Sequence, residues 1–200
     1  MPETSEAPPP AVPFASWRDD ARDWARGRRW EWRLPLLFVL AYTALRGLTA
    51  PTAWSWWAGI TLGVHELGHI VFAPFGRVVE AAGGSIAQVL APLIVMWLMR
   101  RQRDWFGIAV GATWLAYSLA NLATYIADAR AQALPLVGLT DQPEHDWNFL
   151  LGHFGVLGAD QSLARVARLL SAAVLGGATV LGVWVCAQMR TQAVRRIGES

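Results

Sequence analysis

The sequence predicts an all-α polytopic membrane helix bundle with four full spans and one short N-terminal membrane segment. Of its 200 residues, 54% are hydrophobic and only 16% are charged, which does not suit a water-soluble domain. Residues 81–99, 105–127 and 169–187 hold no charge at all. Each run matches the roughly 20 apolar residues that a helix needs to cross a hydrocarbon core. A further apolar run, 53–75, is opened by Trp54, Trp56 and Trp57, a residue type that gathers at the membrane interface.

The same composition excludes other classes. Cys186 is the only cysteine and lies within the last apolar run, so neither a disulfide framework nor a cysteine-zinc site is available. All 17 basic residues are Arg, yet the net charge is only +2, which argues against a nucleic-acid-binding tract. The expected surroundings are the lipid bilayer, with no nucleic acid and an oligomeric state that the sequence does not specify.

Residues 1–16 carry five prolines and two acids, the composition of a disordered tail, and lack the pattern of a secretory signal. Residues 17–33 mix Trp17, Trp24, Trp30 and Trp32 with six arginines, which fits either an interfacial helix or a solvated juxtamembrane linker. The membrane domain is expected over 34–190. Within it, 34–48 is apolar but short and is interrupted by Arg46, so it is expected to dip into the membrane without crossing. The polar stretch 128–168 separates the last two spans, and 191–200 forms a short tail.

Orientation follows from arginine, which collects on the cytoplasmic side. Arg100, Arg101, Arg103, Arg190, Arg195, Arg196 and the N-terminal cluster belong inside. Both termini are then cytoplasmic, 128–160 lies outside, and the location expected is a membrane of the bacterial inner-membrane kind.

The chemistry concentrates in His65-Glu66-Leu67-Gly68-His69. Two histidines four apart stand one turn above each other on a helix and can share a zinc ion. Glu66 is then placed to take a proton from an attacking water, the arrangement of the His-Glu-x-x-His zinc peptidases. A carboxylate in mid-membrane costs roughly 2–3 kcal/mol on insertion scales, so it calls for a partner or a function. Two other readings use the same residues: a non-enzymatic polar or metal site for folding or partner binding, and a metal transporter.

A catalytic zinc typically has three protein ligands. Asn121, Tyr125 and Asp128 form one polar stripe at helical spacing, and Asp128 falls at the same end of its helix as His69. Geometry favours Asp128 as third ligand and His145 next, with the rest of His145-Asp146-Trp147 and His153 as further options. Asp128 paired with Arg130 is the structural alternative. Gly83, Gly84, Ser85 and Gln88 open a span, where unpaired backbone could bind an extended peptide substrate; a loop feeding a helix kinked by Pro92 is the other reading. Gly59-x-x-x-Gly63 and Gly107-x-x-x-Gly111 are candidate helix-crossing points.

With these residues in view, the chain resembles the site-2 protease class of intramembrane zinc metalloproteases over roughly residues 53–128. The His-Glu-x-x-His motif within a span, a Gly-Gly element after it and an Asp ending a later span carry the likeness. The resemblance implies zinc held by His65, His69 and Asp128, Glu66 as general base, and membrane-anchored proteins or peptides as substrates. The family's Asp sits in Leu-Asp-Gly, eight residues after an Asn with a Pro between. Here Asn121 precedes Asp128 by seven, no Pro intervenes, and the tripeptide is Ala127-Asp128-Ala129. The segments Tyr125–Arg130 and His145-Asp146-Trp147 look like those of bacterial membrane proteins that share the motif-bearing span, which suggests a separate branch.

Overall fold

The computed structural model describes residues 17–51, 55–136 and 144–198. The disordered tail expected over 1–16 lies outside them. The described residues form seven α-helices and no strand: α1 (Trp17–Ala25), α2 (Arg33–Thr49), α3 (Trp56–Phe72), α4 (Arg77–Arg101), α5 (Trp105–Ala127), α6 (Asp146–His153) and α7 (Asp160–Gly198). Three helical stretches are long and apolar enough to cross a membrane: Arg77–Arg101, Trp105–Ala127 and Leu157–Val194.

α5 is the axis of the bundle. Ala109, Ala116, Ala120 and Ala123 are fully or almost fully buried along it, and α2, α3, α4 and α7 pack around it. Small residues let the neighbours come close. A Cβ on Gly111 would lie 2.8 Å from Met96, and one on Gly107 2.6 Å from Met99, so the second glycine pair does mark a crossing, that of α4 and α5. The first pair does not: nothing lies within 4 Å of the Cβ position of Gly59 or Gly63.

The contacts fix helix directions. α4 runs antiparallel to α5, since Met99 meets Gly107 while Gln88 reaches Ser118 and Asn121. α7 is also antiparallel, with Gln161 bonded to Ala127 O, Ser171 to Ala116 O, and Cys186 and Met189 clustered with Trp105 and Phe106. α2 runs parallel to α5: Leu37 sits against Gly182 near Ala109, and Gly47 against Tyr117. α3 runs the same way, with Trp57 stacked on Tyr117 and His65 edge-on to Tyr125.

The expectation for 34–48 is therefore altered. Residues 34–48, expected to dip without crossing, lie in one straight-through helix, α2, and α3 does not start at the level where α2 stops. Trp57 Nε1 donates to Thr43 Oγ1 at 3.0 Å, so α3 begins at the level of Thr43, inside the length of α2. Each has 17 residues, or roughly 25 Å of helix, and their stagger carries the chain further than either could alone. Ser55 starts α3 in extended conformation and its Oγ accepts from Trp57 N. A single 3-10 turn (Ala73–Phe75) ends it, and Gly76, at φ 91°, reverses the chain into α4 in a conformation that glycine adopts without strain.

One end of the bundle is rich in Arg and Trp. α1 buries Ala21 and Ala25 against Trp105, Val185 and Met189, and Trp17 lies against both Trp105 and Trp184. Arg33, Arg100 and Arg190 lie over Phe106, Trp105 and Trp30 respectively. Of the two readings of 17–33, this is a docked helix followed by a turn. The opposite end carries α6 and the functional site.

Candidate metal centre

His65 and His69 lie one turn apart on α3, with ring centroids 4.8 Å apart. Their Nε2 atoms converge on one carboxylate oxygen, Asp146 Oδ2, at 3.1 and 3.2 Å. The three donors fall within 4.8 Å of one another and form the one such group among the described residues. Ligands about 2.0–2.1 Å from a tetrahedral zinc stand roughly 3.3 Å from each other, so the spacing fits a zinc ion bound between them.

The far nitrogen of each ring is occupied. His69 Nδ1 lies 2.9 Å from Glu80 O, and His65 Nδ1 lies 3.0 Å from Gln88 Oε1. A ligand histidine bonded through its second nitrogen in this way has its ring orientation fixed. Space for an ion is kept by Gly84, since a Cβ there would lie 2.6 Å from Nε2 of both histidines. Gly68 and Gly83 allow this approach of α3 to α4: a Cβ on Gly68 would lie 2.3 Å from Gly83 O, so neither helix could come this near with a side chain there. Half-buried Glu66 follows His65 and interacts electrostatically with His69 and Tyr125.

Asp146, not Asp128, is thus the acid beside the histidine pair. Asp146 opens α6, a short helix in the connection between α5 and α7, and four neighbours dock it there. Tyr125 Oη accepts from Asp146 N at 3.0 Å and donates to Asp146 Oδ2 at 3.2 Å. Trp147 Nε1 donates to Ser85 Oγ, and Asn148 Nδ2 donates to Ala129 O. Arg77 pairs with Glu144 and lies over the ring of Phe149. Burial disfavours the Asp146 charge, but hydrogen bonds from His65 and His69 outweigh it and hold the carboxyl below its usual range.

Asp128 is committed elsewhere. At the C-terminus of α5 its two carboxylate oxygens accept from the N–H groups of Ala133 and Leu134, each at 3.0 Å, so it shapes the chain leaving α5. Its alternative pairing is also absent, because Arg130 binds Asp160 at 2.8 Å. His145, the other candidate, caps α6: its Nδ1 accepts from Asn148 N, its ring stacks on Tyr125 at 4.3 Å, and its Nε2 stands 3.5 Å from Asp128 Oδ2. That separation is an ion-pair distance, and Nε2 has no hydrogen-bond partner. Burial pushes this imidazole below its ordinary range. His153 is exposed and packs against Phe149 and Phe154.

The four residues expected to bind an extended peptide sit in a different setting. α4 begins at Arg77, so Gly83, Gly84, Ser85 and Gln88 are buried within a helix whose backbone is bonded to itself and offers no strand edge. They face the histidines and α6 instead. Of the polar stripe on α5, Asn121 reaches the site through Gln88 and Tyr125 through Asp146, whereas Asp128 is bonded to the chain leaving α5. No protein-family model, no curated protein and no solved structure matches the chain.

Proposed function

We propose that this chain is an integral membrane zinc-dependent endopeptidase, a separate branch of the site-2 protease kind, acting on membrane-anchored proteins or peptides. The observation that carries the reading is the convergence of His65 Nε2, His69 Nε2 and Asp146 Oδ2, with both histidines bonded through their other nitrogen. Two imidazoles and one carboxylate with a position left open are the donor set of catalytic zinc in several hydrolases. Four crossings fit the helix directions: the staggered pair α2 and α3 passes outward, α4 inward, α5 outward and α7 inward. The Arg-rich end and both termini are then cytoplasmic, and the metal site lies toward the outer face.

In this reading His65, His69 and Asp146 hold the ion, and Tyr125 orients the carboxylate from two sides. Zinc bound there supplies a Lewis acid that polarises a scissile carbonyl and activates water. Glu66 takes the proton of the attacking water and passes it to the leaving amine. Gly84 leaves the floor of the site open, and Trp147, tied to Ser85, helps close its α6 side.

Purified protein is expected to hold about one zinc per chain, lost on His65→Ala or His69→Ala. Glu66→Gln is expected to keep the zinc and abolish cleavage of a membrane-anchored reporter. Undiminished cleavage by Glu66→Gln, or stoichiometric zinc in the double histidine variant, overturns the assignment. Iron in place of zinc would point to the oxygen chemistry of two-histidine, one-carboxylate sites.

A further inference from the structure

We propose that Gln88 is a positioning residue that determines which nitrogen of His65 faces the metal site, and that Ser118 and Asn121 on α5 hold Gln88 in the orientation that does so. The proposal rests on the metal-site reading above and deepens it.

Gln88 is 2% exposed, in the middle of α4, and its side chain makes three hydrogen bonds. Nε2 approaches Ser118 O at 2.9 Å and Asn121 Oδ1 at 3.1 Å, while Oε1 lies 3.0 Å from His65 Nδ1. Nitrogen and oxygen of an amide are not interchangeable here. Ser118 O is a backbone carbonyl and can only accept, so the atom facing it must be the amide nitrogen. The other atom, the carbonyl oxygen, then faces His65 and can itself only accept. His65 Nδ1 must therefore carry a hydrogen, and Nε2, 3.1 Å from Asp146 Oδ2, is the nitrogen that can yield its own hydrogen to an ion.

His69 reaches the same state by a different route. Its Nδ1 faces Glu80 O, again a backbone acceptor, so its tautomer needs no side chain. Of the two ligand histidines, only His65 depends on a replaceable residue. A histidine free to choose would place its hydrogen on either nitrogen, and with the hydrogen on Nε2 it offers the site a donor where a ligand is required. Gln88 holds a hydrogen on Nδ1 against the pull of the Asp146 carboxylate on Nε2, and so keeps Nε2 as the nitrogen free to bind. The α4–α5 contact thereby reaches the metal site although no residue of α5 supplies a ligand.

The test uses full-length protein in nanodiscs. Gln88→Met keeps the length of the side chain and removes the acceptor, whereas Gln88→Glu keeps an acceptor toward His65 and gives up the donor to Ser118 O. Zinc affinity, measured by chelator competition, is expected to fall about 10–100-fold in Gln88→Met, the usual effect of losing such a partner. Gln88→Glu is expected to recover most of that affinity while melting no higher than Gln88→Met. If Gln88 only joined the two helices, affinity would follow thermal stability, and Gln88→Glu would be no better than Gln88→Met; that ranking overturns the proposal. A second readout does not require zinc. Nitrogen-15 spectra of metal-free Asp146→Ala, which lacks the carboxylate that competes for the hydrogen, at a pH that keeps the imidazole neutral, are expected to show the His65 hydrogen on Nδ1, with His69 as internal reference. His65 protonated on Nε2 in Asp146→Ala rejects the proposal even if no Gln88 variant folds. A wild type that binds no zinc, together with an Asp146→Ala protein that shows the Nδ1 tautomer and loses it when Gln88→Met is added, rejects the peptidase reading and leaves the role of Gln88 standing.

Discussion

At the residue scale, the two carboxylates that are candidates for a third ligand differ in what else they must do. Asp128 Oδ1 and Oδ2 are already bonded to Ala133 N and Leu134 N, and pulling the side chain away would strand two backbone donors. Asp146 has no comparable duty, because its Oδ2 meets the two histidines and the hydroxyl of Tyr125. Asp146→Ala is therefore expected to remove zinc binding while leaving the bundle folded. Asp128→Ala is expected to keep zinc and lose stability, on the order of 2 kcal/mol for hydrogen bonds to a charged acceptor. Metal analysis paired with thermal melts separates the two, and zinc lost from Asp128→Ala at unchanged melting temperature would reverse the assignment. The histidine pair and Glu66 were legible in the sequence because their spacing within one helix is local information. Asp146 stood only among the further options, since its position depends on how Tyr125, Ser85 and Ala129 dock a short helix 77 residues after His69. Rigid placement on α5 made Asp128 look the better ligand, but the polar tip of α5 is used to turn the chain.

At the element scale, the site is made by α3 and α4 coming closer than side chains ordinarily allow. Gly68 and Gly83 permit the approach, and Gly84 leaves the space that it creates empty. Sequence pattern marks such positions only as a Gly-Gly pair in an apolar run, which reads equally well as a flexible start to a span. The helix actually begins two turns earlier, at Arg77, because Gly76 supplies the reversal. Gly84→Ala offers a sharp test, since the added methyl would lie 2.6 Å from both Nε2 atoms without removing any ligand. Zinc binding is expected to fall as far as in a ligand variant, whereas Gly59→Ala, whose Cβ position has nothing within 4 Å, should bind zinc like the wild type. Equal zinc affinity in Gly84→Ala and Gly59→Ala would mean that the ion sits away from α4.

At the scale of the whole molecule, the bundle is asymmetric in charge and in chemistry. Its Arg- and Trp-rich end gathers α1, the end of α4, the start of α5 and the last turns of α7, with Arg103 3.9 Å from Asp20. Its other end holds α6 and the site. The apolar runs revealed the helices α4, α5 and α7, because a long uncharged stretch has few other uses. They did not reveal how α2 and α3 overlap, which depends on Trp57 reaching back to Thr43. If α2 and α3 make one outward crossing together, the number of crossings before α4 is odd, and the N-terminal arginines lie on the same side as Arg100 and Arg101. If α2 crossed and α3 crossed back, the two would be antiparallel, whereas the contacts of Leu37 and Gly47 and those of Trp57 and His65 make both parallel to α5. Single cysteines at exposed positions, introduced into a Cys186→Ser background, read this directly with a membrane-impermeant thiol reagent. Glu31→Cys and Gln102→Cys are expected to react only from the cytoplasmic side, and Ala131→Cys only from the opposite side. Labelling of Glu31→Cys and Ala131→Cys from one side, with Gln102→Cys on the other, would place the N-terminus outside and require α2 to cross by itself.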